Sequence, residues 1–336
     1  MGLIGLGRLG RVYARDLARL IPETQLTAVA DTIPDLASRV AAEFGVPHSY
    51  VDPFALLDDP SVDAVVVVTP THTHAEVVVA ALDRGKPTFC EKPPALNLDE
   101  ALAMQSAASR TGVPLQIGFM RRFDAGYAAA KRHIEDGAIG KVVVFKSSSR
   151  DPFPPSVEYA NPRSSGGLIV DMGIHDIDLA RWFMGEVRTA HAIGGTLAYP
   201  ELGAVGDIDN AVVTLQFEDG RLGVVDLTRN GIYGYDITTE LLGTAGTLRV
   251  GYLRETPLLV MTARGVTHDT VPYFMERFEK AYVTQLQDFA RAILAGRAPS
   301  VTIDDGIKAL NICLAATRSR ESGRPVDVVS PQASVH

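Results

Sequence analysis

One short segment of the chain combines residue types that could move a proton. Asp171 and His175 stand four residues apart in a stretch, 167–184, whose apolar spacing predicts a helix, so they would share one helix face with Asp178 a turn further on. A carboxylate beside an imidazole orients the ring and raises its basicity, as a general base near neutral pH requires. The same spacing also fits a helix ion pair without a catalytic role. Both interpretations stay open on the residue types alone.

A second candidate is the lysine of Glu91-Lys92-Pro93, where a predicted strand over 87–91 ends. Such a lysine can hydrogen-bond a substrate oxygen and stabilise the negative charge that develops when a hydroxyl loses its proton. A solvated surface lysine is the other interpretation. With His175 as general base and Asp171 as its partner, Lys92 would complete a set that suits oxidation of an alcohol. The sequence has no HExxH motif, no G-x-S-x-G motif and no cysteine cluster, so no metal site is predicted.

The first residues of the chain carry a pattern for binding a dinucleotide. The run from Gly5 to Gly10 reads G-x-G-x-x-G between a short strand and a predicted helix over 8–20, which suits a tight turn, close approach of pyrophosphate and close helix packing. Asp31 ends the next strand, where an acid can accept the adenosine ribose hydroxyls. A cap for the following helix is the other interpretation of Asp31. Because its charge would repel a 2′-phosphate, NAD is favoured over NADP. The predicted cofactor contacts in this part of the chain are Gly5, Gly7, Arg8, Leu9, Gly10 and Asp31.

Further cofactor contacts are predicted where the later strands end. Thr69 and Pro70 follow an apolar strand, and ligands of doubly wound sheets lie at the carboxyl ends of the strands. His74 together with His72 could be taken for a metal pair, but no second ligand cluster of matching spacing exists. His74 is therefore predicted to begin a helix close to the cofactor. Glu91 and Lys92 complete the predicted set.

The elements that must position these residues change character near residue 120. Up to that point Val-rich strands alternate with helices, which indicates a parallel sheet covered on both faces, as in a Rossmann domain. From about 186 to 271 the chain alternates polar and apolar residues between turns, which predicts an antiparallel sheet with one face solvated or used in assembly. The fold class is therefore a Rossmann domain over 1–120 and an α+β domain over 121–330, with a frayed tail. The predicted helices cover 8–20, 34–44, 75–84, 98–111, 127–135, 167–184, 278–294 and 304–322.

Composition excludes several classes of protein. The formal net charge of −8 over 336 residues argues against a nucleic-acid-binding surface, which needs clustered Lys and Arg. No apolar run reaches the length of a membrane span, and the start lacks the pattern of a signal peptide. Cys90 and Cys313 are far apart and are expected to be reduced thiols, with Cys90 in a buried strand. The chain is expected in the cytoplasm.

Taken together, these motifs resemble the glucose–fructose oxidoreductase/inositol dehydrogenase/MocA family over nearly the whole chain. The resemblance is carried by the GLGRLG start, by Glu91-Lys92-Pro93 and by the GG…D-x-x-x-H-D-x-D segment that contains Asp171 and His175. It implies that Lys92, Asp171 and His175 are catalytic. It also implies a second domain with a large, open, mostly antiparallel sheet, through which such proteins commonly form homodimers or homotetramers.

Within that family the chain is most similar to inositol 2-dehydrogenases, on strings such as Gly118-Phe119-Met120-Arg121-Arg122-Phe123-Asp124 and Tyr233-Gly234-Tyr235-Asp236. The similarity implies oxidation of a cyclic polyol, with myo-inositol converted to its 2-keto form. A polyol needs several hydrogen-bonding partners, since buried unpaired hydroxyls are costly. An aldose or other sugar substrate, and a non-catalytic dinucleotide-sensing regulator, are the alternatives. The substrate contacts that the similarity implies are Lys92, Arg122, Asp151, Asp171, His175, Asp178 and Tyr235.

Overall fold

A computed structural model of the chain describes residues 1–329. The backbone divides into two compact units. Met1–Met120 and Lys280–Leu310 make up the first, whereas Arg121–Glu279 and residues 311–329 make up the second. The first unit thus takes up a C-terminal segment that the predicted division at residue 120 does not include. Residue 330, where the predicted second domain ends, and the predicted tail lie outside the described residues.

The first unit is built on six parallel strands in the order β3-β2-β1-β4-β5-β6. The strand order reverses between β1 and β4, and in such sheets the ligand lies at the carboxyl ends of the strands beside that reversal. The glycine-rich loop follows β1, and Thr69 follows β4 closely. The Rossmann part of the predicted fold class is confirmed. Its elements are β1 (Gly2–Ile4), α1 (Arg8–Arg19), β2 (Ala28–Ala30), α2 (Pro34–Phe44), β3 (His48–Tyr50), α3 (Pro53–Leu57), β4 (Val65–Val67), α4 (His74–Asp83), β5 (Thr88–Glu91), α5 (Leu98–Thr111) and β6 (Leu115–Gly118).

The second unit contains a seven-stranded sheet in the order β12-β11-β7-β10-β9-β8-β15. Only β7 and β10 are parallel neighbours, so the sheet is mostly antiparallel, as predicted. The chain after β6 forms α6 (Ala125–Glu135), β7 (Val142–Arg150), α7 (Val157–Ala160), α8 (Pro162–Ser165), α9 (Gly167–Asp171), α10 (Ile174–Met184), β8 (Val187–Gly195), α11 (Pro200–Ala204), β9 (Asn210–Phe217), β10 (Leu222–Thr228), β11 (Asp236–Gly243), β12 (Thr247–Val250), β13 (Val260–Thr262), β14 (Gly265–Thr267), α12 (Phe274–Leu294), α13 (Ile303–Ser322) and β15 (Val326–Asp327). The two long helices α12 and α13 each have residues in both units.

The two faces of the second sheet differ in the way that the alternating pattern predicts. The inner face carries buried side chains such as Phe145, Val213 and Val225, and α10 packs over β7 and β10. On the outer face Ile193 pairs across strands with Val212, and both stay exposed. This alternation gives the sheet one core-forming face and one open face.

The predicted helix over 167–184 is wrong in one respect. It is interrupted at Met172 and Gly173, so α9 ends at Asp171 and α10 begins at Ile174. A Cβ on Gly173 would lie 2.6 Å from the carbonyl oxygen of Ile169 and 2.8 Å from Leu227 Cδ1, so only glycine fits this close approach to β10. Asp171 and His175 therefore lie on opposite sides of a helix break rather than one turn apart on a continuous helix.

The predictions from composition concerned the two cysteines and membrane-spanning segments. Cys90 and Cys313 are both buried and are not joined in a disulfide, and Cys90 lies in β5 as predicted. Among residues 1–329 no helix is long and apolar enough to cross a membrane.

Candidate active site

The glycine-rich loop has the shape that a dinucleotide requires. Gly5 has φ +93°, a conformation that favours glycine, and it turns the chain from β1 toward α1. A Cβ on Gly10 would lie 2.1 Å from the carbonyl oxygen of Gly5, so the helix can approach the strand only because Gly10 has no side chain. The position of a Cβ on Gly7, by contrast, has no heavy atom within 4 Å. Gly7 is the N-cap residue of α1 and supplies no side-chain cap, which leaves backbone N–H groups for an anion.

Asp31 is fixed beside this loop by the backbone. Its Oδ2 accepts a hydrogen bond from the N–H of Leu6 at 2.8 Å, and its Oδ1 accepts one from Ile33 at 2.9 Å. The carboxylate remains partly exposed and has lone pairs left for ribose hydroxyls. Asp31 thus also stabilises the start of the segment leading to α2, so the two interpretations of this residue are compatible. The loop and Asp31 fit the adenosine and pyrophosphate parts of NAD.

Substituting the two glycines should separate folding from cofactor binding. Gly10→Ala must displace the backbone of Gly5, and we expect the free energy of unfolding to fall by about 1–3 kcal/mol. Gly7→Ala meets open space, so we expect stability close to that of the wild type and weaker NAD binding, because the methyl group takes the room for pyrophosphate. Denaturant unfolding and NAD titration of both variants measure this. Equal loss of stability in both would contradict the assignment of Gly7 to the cofactor.

His74 ties together two loops at the carboxyl edge of the first sheet. It is buried at the first residue of α4, where the sequence predicts it. Its Nδ1 lies 2.8 Å from the carbonyl oxygen of Pro93, and its Nε2 lies 2.8 Å from that of Thr69. Burial lowers the pKa of His74 below its usual value, although both carbonyl contacts oppose this shift. The side chain therefore links the loop after β4 to the segment that carries Lys92.

Glu91 faces the interior of the first unit. The Tyr13 hydroxyl donates to Glu91 Oε1, and the backbone N–H of Lys92 donates to Oε2 at 3.1 Å. Gln285 Nε2 donates to the Tyr13 hydroxyl at 2.7 Å, so the carboxyl group belongs to a buried network. Burial raises the pKa of Glu91, and it also raises that of Tyr13. The network fixes the end of β5 and thereby the half-buried Lys92; direct contact of Glu91 with the cofactor stays a prediction.

In the second unit Asp171 lies at the centre of a polar cluster. It is buried at the end of α9, and the Tyr159 hydroxyl donates to its Oδ1 at 3.0 Å. Arg229 Nη2 lies 3.6 Å from Asp171 Oδ2 and 3.5 Å from Asp207 Oδ2. Burial raises the pKa of Asp207, whose Oδ1 accepts the N–H of Leu168 at 2.9 Å. The cluster fixes the carboxylate that the sequence proposes as the partner of the base.

His175 lies just beyond the helix break, as the second residue of α10, and its side chain is buried. A buried imidazole can hold one defined orientation, as a general base must. Asp151 directly follows β7, and its backbone bonds both Thr228 and Gly231. Tyr235 is buried; burial is the main cause that raises its pKa, and the charge of Asp151 also contributes. Arg150 of β7 pairs with Asp236 of β11, so Asp151, which follows Arg150, and Tyr235, which precedes Asp236, lie beside this pair on adjacent strands.

Arg122 and Asp178 are bound to each other. Arg122 Nε donates to Asp178 Oδ2 at 2.9 Å and Nη2 to Oδ1 at 2.5 Å, and both side chains are largely buried. The Arg122 guanidinium also lies over the Trp182 ring at 5.7 Å. A two-point pair of this kind fixes α10 to the segment after β6. Contact of either side chain with a substrate stays a prediction.

The sequence did not predict that Tyr159 and Arg229 belong to the candidate site, nor that Asp207 has a structural role there. Tyr159 lies in the four-residue helix α7, which has no periodic pattern, and Arg229 follows β10. Because β10 runs parallel to β7, its end meets the end of β7 where Asp151 lies. That pairing would have drawn attention to Arg229, but the sequence analysis did not identify β7.

Two family models match the chain. Residues 1–119 match the NAD-binding Rossmann fold of an oxidoreductase family, and residues 131–328 match its C-terminal alpha/beta domain. Both descriptions belong to the family of glucose–fructose oxidoreductase, inositol dehydrogenase and MocA.

Relatives and solved structures are similar along nearly the full length. The scyllo-inositol 2-dehydrogenase (NAD(+)) of Bacillus subtilis is 39% identical, over 97% of this chain and 95% of the relative. The myo-inositol 2-dehydrogenase of Thermotoga maritima is 40% identical, over 97% of each chain. A crystal structure of scyllo-inositol dehydrogenase from Lactobacillus casei with bound NAD(H) and scyllo-inositol has a TM-score of 0.93 and 34% identity, and the similarity covers 98% of both chains.

Proposed function

Because this chain belongs to the glucose–fructose oxidoreductase/inositol dehydrogenase/MocA family of NAD-dependent oxidoreductases, we propose that it oxidises one ring hydroxyl of an inositol to a ketone. Myo-inositol, converted to 2-keto-myo-inositol, is the first candidate substrate. The observation that carries the proposal is the full-length similarity to the Lactobacillus casei enzyme that holds NAD(H) and scyllo-inositol. The loop from Gly5 to Gly10 and Asp31 support the same cofactor for this chain.

The proposed chemistry assigns one task to each of three residues. His175 removes the proton from the substrate hydroxyl, and Asp171 orients the ring and stabilises the imidazolium that forms. Lys92 hydrogen-bonds the same oxygen and stabilises the negative charge that develops there. When bound, NAD supplies the acceptor for the hydride that leaves the substrate carbon. The contacts of Asp171 with Tyr159 and Arg229 support its assignment, because they hold the carboxylate in one place.

Further residues are proposed to border the ring. Asp151 follows β7 and Tyr235 precedes β11, beside the paired residues Arg150 and Asp236, and each can bond a hydroxyl group. Arg122 and Asp178 are proposed as substrate contacts as well. Their mutual ion pair would have to share its outer hydrogen-bonding positions with the polyol. The proposed cofactor contacts are Gly5, Gly7, Arg8, Leu9, Gly10, Asp31, Thr69, Pro70, His74, Glu91 and Lys92.

A substrate screen tests the proposal. The purified chain is incubated with NAD or NADP and with myo-inositol, scyllo-inositol or glucose, and formation of the reduced cofactor is followed by absorbance. We expect turnover with an inositol, and more with NAD than with NADP, because Asp31 would repel a 2′-phosphate. Turnover with glucose alone would favour the sugar dehydrogenase. Tight NAD binding without turnover on any polyol or sugar would favour a dinucleotide-sensing regulator.

The domain division, the assembly and the location of the chain are proposed as well. We propose that residues 1–120 bind the dinucleotide and that residues 121–330 bind substrate and form a homodimer or homotetramer. Exposed apolar side chains on the open face of the second sheet, among them Ile193 and Leu222, support assembly through that face. Cys90 and Cys313, which are buried and not joined in a disulfide, support a cytoplasmic location.

A further inference from the structure

Tyr159 is a partly exposed tyrosine whose hydroxyl group is turned toward the protein. The residue as a whole is 53% exposed, yet its hydroxyl donates to Asp171 Oδ1 at 3.0 Å. Its own backbone is held by a cap, since the Ser156 hydroxyl accepts the N–H of Tyr159 at 3.2 Å and begins α7. A four-residue helix with this cap therefore serves to place one phenol on one carboxylate.

The electrostatics of the cluster agree with this geometry. The negative charge of Asp171, together with burial and the hydrogen bond, raises the pKa of Tyr159 far above its usual value. The phenol therefore remains a proton donor to Asp171 throughout the neutral and alkaline range in which a dehydrogenase works. Arg229 lies on the other oxygen of the same carboxylate, at 3.6 Å. Each Asp171 oxygen thus has a cationic or hydrogen-bonding group beside it.

We propose that Tyr159 is a positioning residue for the oxidation. Its hydroxyl holds Asp171 through Oδ1, so that the Asp171 carboxylate keeps the orientation in which it acts on His175. The inference rests on the proposed function, because it gives Tyr159 a role only through the catalytic use of Asp171. Tyr159 does not need to touch the substrate for this role. Tyr159 holds one oxygen of the Asp171 carboxylate, and Arg229 lies beside the other oxygen.

Removing the hydroxyl has two consequences of known sign. The carboxylate loses one fixed contact, so a smaller fraction of molecules holds it in the productive orientation, and kcat falls. The carboxylate also loses a donor, so more of its negative charge acts on the imidazolium and stabilises the protonated form of the base. Because the base must be unprotonated to accept the substrate proton, the acid limb of the kcat/KM profile moves to higher pH.

The test is Tyr159→Phe in the full chain, compared with Tyr50→Phe. Tyr50 is a matched control because its hydroxyl also donates to a carboxylate, Asp59 Oδ2, at 2.9 Å, but in the first unit. For Tyr159→Phe we expect kcat with inositol to fall about tenfold and the acid limb to rise by about half a pH unit. The KM for NAD should stay within about twofold, because the cofactor loop is untouched. Tyr50→Phe should keep the wild-type acid limb.

Two further variants test whether Tyr159 acts through Asp171. If Tyr159 acts through Asp171, then Tyr159→Phe should cause no further loss of kcat in an Asp171→Asn background. Additive losses, or a Tyr159→Phe enzyme with wild-type kcat and an unmoved acid limb, would overturn the inference while the wild type still oxidises inositol. If Tyr159→Phe does not fold, Ser156→Ala, which removes the cap that holds the backbone of Tyr159, should lower kcat and move the acid limb in the same directions. A wild-type chain inactive on every polyol would instead contradict the proposed function, and the inference with it.

Discussion

Replacing His175 by alanine is expected to lower kcat for inositol oxidation by about a thousandfold, within the range that positioned general acid–base groups contribute. The side chain is buried just after the break between α9 and α10, so no other group is expected to take the substrate proton in its place. NAD affinity should change little, because the proposed cofactor contacts, among them the glycine-rich loop and Asp31, do not include His175.

Steady-state kinetics and NAD titration on the same preparation measure this separation. His191→Gln is the matched control. His191 lies on β8 opposite Thr214, on the open face of the sheet that also carries Ile193. We expect the control to retain wild-type kcat. A His175→Ala enzyme that loses NAD affinity and kcat to the same extent would show that this histidine maintains the fold rather than the chemistry.

Replacing Lys92 by methionine should lower kcat by about 10²–10³, as removal of one group that stabilises a developing oxyanion does. Methionine keeps most of the length and the apolar stem of lysine but removes the charge and all donors. The end of β5 should keep its place, because the backbone N–H of residue 92 that donates to Glu91 Oε2 is retained in the variant.

For Lys92→Met, kcat and the thermal unfolding midpoint are measured and compared with those of Lys146→Met. Lys146 lies on β7 and pairs with Glu240 at 3.2 Å on the exposed face, so its loss should leave kcat unchanged. A Lys92→Met enzyme that turns over within about threefold of the wild type would exclude Lys92 from stabilising the substrate oxygen.

Helix bounds followed from the sequence wherever local signals mark both ends. α2 covers the predicted range because Pro34 stands at its first turn and Gly45, with φ +70°, ends it. α5 also covers its predicted range: the Asn97 side chain accepts the N–H of Glu100, and Gly112 ends the helix with φ +69°. These signals act within a few residues, so a single sequence suffices to detect them.

The strand β7 was missed because the inward positions of its second half are polar. Ser147 and Ser149 face the core, and their hydroxyls donate to the buried Asp176 of α10, which also pairs with Arg121 at 2.7 Å. Serine at inward positions removes the apolar alternation that marks a strand. The hydrogen-bonding partner that makes those serines acceptable lies 27–29 residues away, which no local pattern reveals.

The candidate site divides in the same way. The dinucleotide loop and Asp31 follow from spacing, because a turn, a helix start and a strand end are local features. The cluster around Asp171 depends on Tyr159 and Arg229, which lie 12 residues before it and 58 residues after it in the chain. Only the folded sheet, with β10 beside β7, brings Arg229 to this carboxylate. Sequence could therefore identify Asp171 but not what holds it.

The central claim is that the chain moves hydrogen from a ring carbon of an inositol to NAD. Myo-inositol carrying deuterium on the carbon that becomes the ketone tests this directly, with the reduced NAD analysed by mass spectrometry. We expect one deuterium in each molecule of reduced NAD and slower turnover of the labelled substrate. Reduced NAD without deuterium, or no reduction of NAD by any inositol, would contradict the account.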